Sequence, residues 1–308
     1  MIGTVLLLIL GGDVIAAGSG DIDQSASAAP AAAEGIGPAT LAIAAVGLAV
    51  AVMIMVRGAW RLDAAPKRAL IDPVIAGSAA ILLFLAPSLV VSFMPPEPTT
   101  LEDHARAFGW ASIARGAVIV GWAVLIAQSW ARRTPESGSE SGSEPVMSIG
   151  RAAGLGGLGL LATWPVVLAV GTLAGYIVML LGGEANPVAH DTLQQLVDSP
   201  VTRWTWAVAA FAVIVAPITE EVLYRGMLQE ALRSSPFGAW GAIVVTSVLF
   251  ALMHVGNSAP HAVAGLFVLS LGFGWVYERS GRLVAPIVMH LGFNAGNFGL
   301  AMVMHAST

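Results

Sequence analysis

Apolar runs of close to twenty residues recur along this chain, and they leave it few folds to choose from. The candidate spans are 40–56, 73–93, 108–130, 152–182, 204–232, 237–254, 260–277 and 284–304. Crossing a bilayer as a helix takes about 20 consecutive apolar residues, and only helices and closed barrels satisfy every backbone polar group there. The period-two alternation of a membrane barrel is absent. Charged residues make up 11% of the chain, against about 25% in soluble domains, and the mean hydropathy is +0.80. So few charges cannot clothe a water-exposed surface. The sequence predicts an all-α, polytopic helical membrane protein with about eight transmembrane helices and a polar intramembrane cavity in its C-terminal half.

The charges between the spans test this reading. Arg57, Arg61, Lys67, Arg68, Arg132, Arg133, Arg151, Arg233, Arg279 and Arg282 all fall in connections on one side. The other side receives Arg106 and Arg203 together with most of the acidic residues outside the spans. The positive-inside rule puts the basic side in the cytoplasm and both termini outside it, as expected of a protein of a bacterial inner (cell) membrane. The net charge of −5 says little about partners. No basic run suits nucleic acid; the expected partners are the lipid bilayer and a membrane-associated protein or peptide. Cysteine is absent, which excludes disulfides, a thiol nucleophile, cysteine zinc sites and a lipoprotein anchor.

Composition divides the chain. Residues 1–39 form a leader: a short apolar run, Val5 to Leu10, resembles a signal-peptide core, and an Ala-rich acidic stretch follows it. No Lys or Arg precedes the run, so a cleaved signal and a retained anchor are both open. Residues 40–133 hold three spans, and 134–147 are a Ser/Gly/Glu linker on the cytoplasmic side. Residues 148–308 hold five spans and every suspicious polar residue.

Gly154, Gly156 and Gly159 spell G-x-G-x-x-G, but inside a long apolar span they read as small residues that let helices pack, as do Gly171 and Gly175. Span 204–232 is unusual. Its 29 residues extend about 43 Å at 1.5 Å each, and Pro217 is expected to kink it or split it in two. Thr219 can then cap a new helix whose first turn carries Glu220 and Glu221. Glu221 and Arg225 are four apart and can pair. Glu220 projects about 100° away and is left unpaired, unless it lies on an amphipathic surface helix with Gln229, Glu230 and Arg233. His254 closes one apolar run; His290 and Asn294 lie one turn apart on one face of another, with Asn297 adding a polar group. His104, His190, His261 and His305 read as loop or terminal residues.

Ionisable groups at membrane depth are costly and mark functional sites. Glutamate can serve as a base for water; histidine can bind metal, orient water or donate to an oxyanion, and asparagine can donate too. No serine has a base-bearing context, and the H-E-x-x-H zinc motif is missing. Counting about 1.5 Å per residue from the cytoplasmic ends puts Glu220 near 20 Å, His254 near 25 Å and His290 near 12 Å, so helices must tilt or kink for them to meet.

Three short patterns appear in order: Glu220-Glu221-Val-Leu-Tyr-Arg225, Phe250-Ala-Leu-Met-His254 and His290-Leu-Gly-Phe-Asn294. Together, on separate apolar segments, they resemble the CPBP family of intramembrane proteases, the CAAX-protease and bacteriocin-processing (Abi) group. The resemblance covers residues 200–298 and leaves 1–147 unexplained. It implies that Glu220 and His254 activate a water against a peptide carbonyl, that His290 and Asn294 stabilise the oxyanion, and that Glu221 and Arg225 hold the first helix in place. It also implies a possible divalent metal cofactor, zinc, with His254 and His290 as ligands. Zinc takes three or four protein ligands, and two histidines with a glutamate supply three, so both chemistries stay open. The expectation is therefore an intramembrane endopeptidase. The alternatives are a non-catalytic scaffold or bacteriocin-immunity protein of the same fold, and a proton-coupled transporter using Glu220.

Overall fold

The computed structural model describes residues 38–58, 61–62, 147–183, 200–233, 238–255 and 258–306, with most of 100–121 and isolated positions at 78, 193 and 236. Among these residues the fold is helical, without a strand ladder. Six helices organise it: α1 (Pro38–Val56), α2 (Ile149–Leu180), α3 (Arg203–Arg233), α4 (Gly238–Leu252), α5 (Pro260–Ser280) and α6 (Val284–His305). Of these, α2, α3 and α5 are long and apolar enough to cross a membrane. The described positions between 102 and 121 are helical. Nearly all of the span expected at 73–93, of the leader and of the linker lies outside the described residues.

In water, Val244-Val-Thr-Ser-Val248 of α4 would favour a strand. Here Val244 and Val248 are exposed on α4, and with no sheet to join among the described residues the backbone satisfies itself as a helix. Capping residues set the other boundaries. Thr202 and Thr205 form a reciprocal cap at the start of α3, with bonds of 3.2 Å to the Trp204 N–H and 2.9 Å from the Thr202 N–H. Helix α5 opens with Pro260 in its first turn and stops at Gly281, whose φ of 61° is left-handed and whose N–H donates to the Tyr277 carbonyl.

Helices α2 and α5 pack side by side at the centre, with α1 and α6 against α2 and α4 against α5. Small residues permit this. A Cβ on Gly156 would fall 2.2 Å from the Ala285 carbonyl oxygen of α6, and one on Gly159 would meet Val276 of α5 at 2.7 Å. The packing reading holds for these two glycines; Gly154 and Gly171 face open space and serve no such contact. The core joins Leu223, Tyr224 and Met227 of α3, Phe250 of α4, Leu269, Phe273 and Val276 of α5, and Ala285 and Met289 of α6.

The arginine-bearing connections gather at one end. Arg279 donates to the Arg61 carbonyl at 3.4 Å, Arg282 donates to the Met147 carbonyl, and Arg233 pairs with Glu278 at 3.1 Å. These three links join segments that the charge rule assigns to a single side.

Helix α3 departs from expectation. Pro217 does not split it: the helix runs from Arg203 to Arg233, changing between α and π geometry. One π stretch covers Phe211–Val215 and a second covers Val222–Gln229. Thr219 caps nothing; its hydroxyl turns back to the Val215 and Ala216 carbonyls at 3.0 and 2.9 Å. The widened turn before Pro217 accommodates the ring without a break. Such π turns recur at functional sites, and Glu220 and Glu221 sit between the two.

Candidate active site

Glu221 is the hub. Fully buried, it receives two hydrogen bonds on Oε1: one from Arg225 Nη1 at 3.1 Å, one helical turn on, and one from His290 Nδ1 of α6 at 2.8 Å. The expected Glu221–Arg225 pair is present, and it does more than brace a helix. Because a carboxylate only accepts, the imidazole carries its proton on Nδ1. That fixes the ring's orientation and turns Nε2 towards the second glutamate, with Glu220 Oε2 at 3.9 Å. Glu220 therefore lies beside His290 rather than on a separate surface. Its side chain is 21% exposed where that of Glu221 is wholly covered.

The buried cation is held in an aromatic box. Arg225 lies 5.0 Å from the Phe273 ring, 5.3 Å from Phe250 and 5.8 Å from Tyr224, distances at which the ring faces attract a cation. Its Nη2 donates to Ser270 twice, to the hydroxyl at 2.6 Å and to the carbonyl at 3.0 Å. The same rings position the histidines. His290 stacks on Phe273 at 4.6 Å and meets the edge of Phe250 at 5.8 Å. His254 lies 4.7 Å from Phe250, in the turn just beyond α4. The first aromatic residue of Phe250-Ala-Leu-Met-His254 is thus the plate that both imidazoles contact. His254 Nδ1 donates to the Phe250 carbonyl at 2.8 Å, which leaves its Nε2 as an acceptor.

Asn294 has a local task with a clear cause. In the π stretch the Ala216 N–H reaches back five residues to the Phe211 carbonyl. The next bond in that series would run from residue 217 to Ala212, but proline has no N–H. The Asn294 amide supplies the missing donor, at 2.8 Å from the Ala212 carbonyl. One of its two amide hydrogens is thereby used and the other remains. Asn297 does not join the site; it donates along its own helix to the Phe293 carbonyl.

Sequence reasoning missed Ser270, and it misplaced Gln229 and Glu230 in its surface-helix alternative. Gln229 is fully buried and donates to the Gly274 carbonyl at 3.2 Å and to Glu278 at 3.0 Å; Glu230 is also buried. The signal was present: Glu221, Arg225, Gln229 and Arg233 repeat every four residues, opposite Ser270, Gly274 and Glu278 at the same spacing. His261 lies in the first turn of α5 rather than in a loop, with Nδ1 buried.

Zinc needs three or four ligands converging on a point. Among the described residues no three His, Asp or Glu side chains do so; the Nδ1–H groups of His254 and His290 point at a carbonyl and a carboxylate, which leaves Nε2 as the ring nitrogen of each that a metal could use.

Residues 202–306 match the family model described as type II CAAX prenyl endopeptidase Rce1-like. The chain is also 33% identical over 79 residues to an uncharacterized 24.3 kDa protein of Escherichia coli. That stretch spans 25% of this chain and 36% of the length of that relative. No solved structure matches the chain. All three motifs, and every side chain of the Glu220–Glu221–His290 cluster, fall inside the matched segment. Through residues 202–306, which are less than half of its length, the chain is similar to the Rce1-like type II CAAX prenyl endopeptidases, a protease family.

Proposed function

We propose that this protein is an intramembrane endopeptidase that hydrolyses a peptide bond of a membrane-associated protein or peptide, in the manner of a CAAX prenyl endopeptidase. The observation that carries the reading is one imidazole between two carboxylates among apolar helices: His290 Nδ1 at 2.8 Å from Glu221 and Nε2 at 3.9 Å from Glu220. A pair this buried is costly to maintain for stability alone, and the more exposed Glu220 is the member that water can reach.

In the proposed reaction Glu220 takes a proton from a water that His254 Nε2 helps to orient, and the water oxygen attacks the scissile carbonyl carbon. The carbonyl π electrons move to oxygen. This oxyanion receives hydrogen bonds from His290 Nε2–H and the second amide hydrogen of Asn294. For Nε2 to donate, His290 carries both ring protons from the outset: Glu220, Glu221, Arg225 and His290 sum to zero before the attack, and the proton then gained by Glu220 offsets the charge of the oxyanion. Collapse of the tetrahedral species breaks the C–N bond, and the proton held by Glu220 passes to the leaving amine. Glu221 and Arg225 position His290 and touch no substrate. No step passes through a metal.

The test is a comparison of peptide termini in cell membranes carrying the wild-type protein or Glu220→Ala at equal abundance. The reading expects new C-termini on a membrane-associated protein only with the wild type. Identical termini in both, with partner binding retained, would instead support the scaffold reading.

A further inference from the structure

The geometry points to Ser270 as a positioning residue for the Glu221–His290 pair, acting through Arg225. The inference rests on the endopeptidase reading of that pair. Three aromatic rings surround the Arg225 guanidinium. Attraction to a ring face holds a cation in place but sets its in-plane rotation weakly. Directional hydrogen bonds set the rotation, and among the described residues those of Arg225 go to Glu221 and Ser270, with no partner there for its Nε. The 2.6 Å contact to the Ser270 hydroxyl is the shortest of the three.

Glu221 Oε1 is shared between Arg225 and His290, so rotation of the guanidinium is passed to the imidazole through one oxygen atom. Helix α5 controls both ends of this chain. Ser270 fixes Arg225, and Phe273, three residues on, stacks on His290. The serine is fully buried, and its side chain contacts no substrate. Its effect is on where His290 Nε2 points.

Ser270→Ala removes the hydroxyl and leaves the carbonyl contact. Ser270→Cys, with a weaker acceptor, is the second variant should the first fail to fold. Ser247→Ala is the control: it deletes another fully buried hydroxyl, on α4, whose oxygen makes no hydrogen bond among the described residues. Full-length proteins in lipid nanodiscs, labelled with ring-15N histidine, are compared, and the His290 signal is assigned by its loss in His290→Gln. The expected result is a displaced His290 Nδ1 resonance in Ser270→Ala, a smaller displacement in Ser270→Cys and none in Ser247→Ala. On an internally quenched, prenylated peptide ending in Cys-aliphatic-aliphatic-X, kcat falls about tenfold in Ser270→Ala, the loss of one hydrogen bond to a charged group, with KM within about twofold. An unmoved His290 resonance in a folded Ser270→Ala protein overturns the inference, as does a displacement of equal size in Ser247→Ala. If the wild type leaves the probe uncut, the substrate assignment fails, and the resonance comparison still decides the role of Ser270.

Discussion

Replacing Glu221 by Gln separates the tasks of the two adjacent glutamates. The side chain keeps its shape and an acceptor oxygen, but Arg225 loses its charged partner in a fully buried place. Breaking a buried pair by removing one member costs about 3–5 kcal/mol. The lower end applies here, about 3 kcal/mol, because Ser270 and three aromatic rings continue to hold the guanidinium. Glu220→Gln alters a partly exposed side chain that lies 3.9 Å from His290 Nε2, beyond hydrogen-bond reach, so its stability should stay within about 0.5 kcal/mol of wild type. The assay is an SDS titration of the detergent-solubilised protein, followed by tryptophan fluorescence, together with cleavage of the prenylated peptide. Both variants should be inactive, Glu221→Gln because His290 is no longer oriented and Glu220→Gln because the base is gone. A Glu221→Gln protein as stable as wild type, beside a destabilised Glu220→Gln, would mean that the two roles are reversed.

Asn294→Ala should leave measurable activity, reduced by about 10²–10³ if one oxyanion donor is lost, as read from initial rates. Its stability loss should shrink in a Pro217→Ala background, where residue 217 regains an N–H for the Ala212 carbonyl; an unchanged loss would show that the carbonyl is not what Asn294 serves. Metal analysis of active protein should find no stoichiometric zinc, whereas zinc lost together with activity in His254→Ala would establish the metal-dependent chemistry. A reporter fused within 134–147 should read cytoplasm and one after Thr308 the opposite side; a cytoplasmic C-terminus would overturn the charge-based topology.

Several features could be read from residue order because they follow from simple periodicity. The expected spans 152–182, 204–232, 260–277 and 284–304 correspond to α2, α3, α5 and α6 with boundaries a few residues apart. The i,i+4 spacing of Glu221 and Arg225 gave their ion pair, and that of His290 and Asn294 gave their common face. What escaped depends on departures from that periodicity or on contacts between distant segments. Two π stretches change the direction in which α3 side chains point, so assigning Glu220 a face by 100° steps left it without His290. Depth counting assumed straight helices with level ends, yet His290 and Glu221 meet at 2.8 Å. Gln229 and Glu230 were read by the habits of soluble helices, whose polar faces meet water; here they face α5. Ser270 carries no local sign of its task, because its partner lies 45 positions away.

The central claim is that Glu220 is the base of a peptide-bond hydrolase. The most direct measurement is cleavage of the prenylated, internally quenched peptide by purified full-length protein in nanodiscs, wild type beside Glu220→Gln, with folding matched by size exclusion and thermal unfolding. The account predicts product from the wild type and none above the uncatalysed background from Glu220→Gln, although the variant still crosslinks to the peptide. Equal cleavage by the two proteins would contradict it.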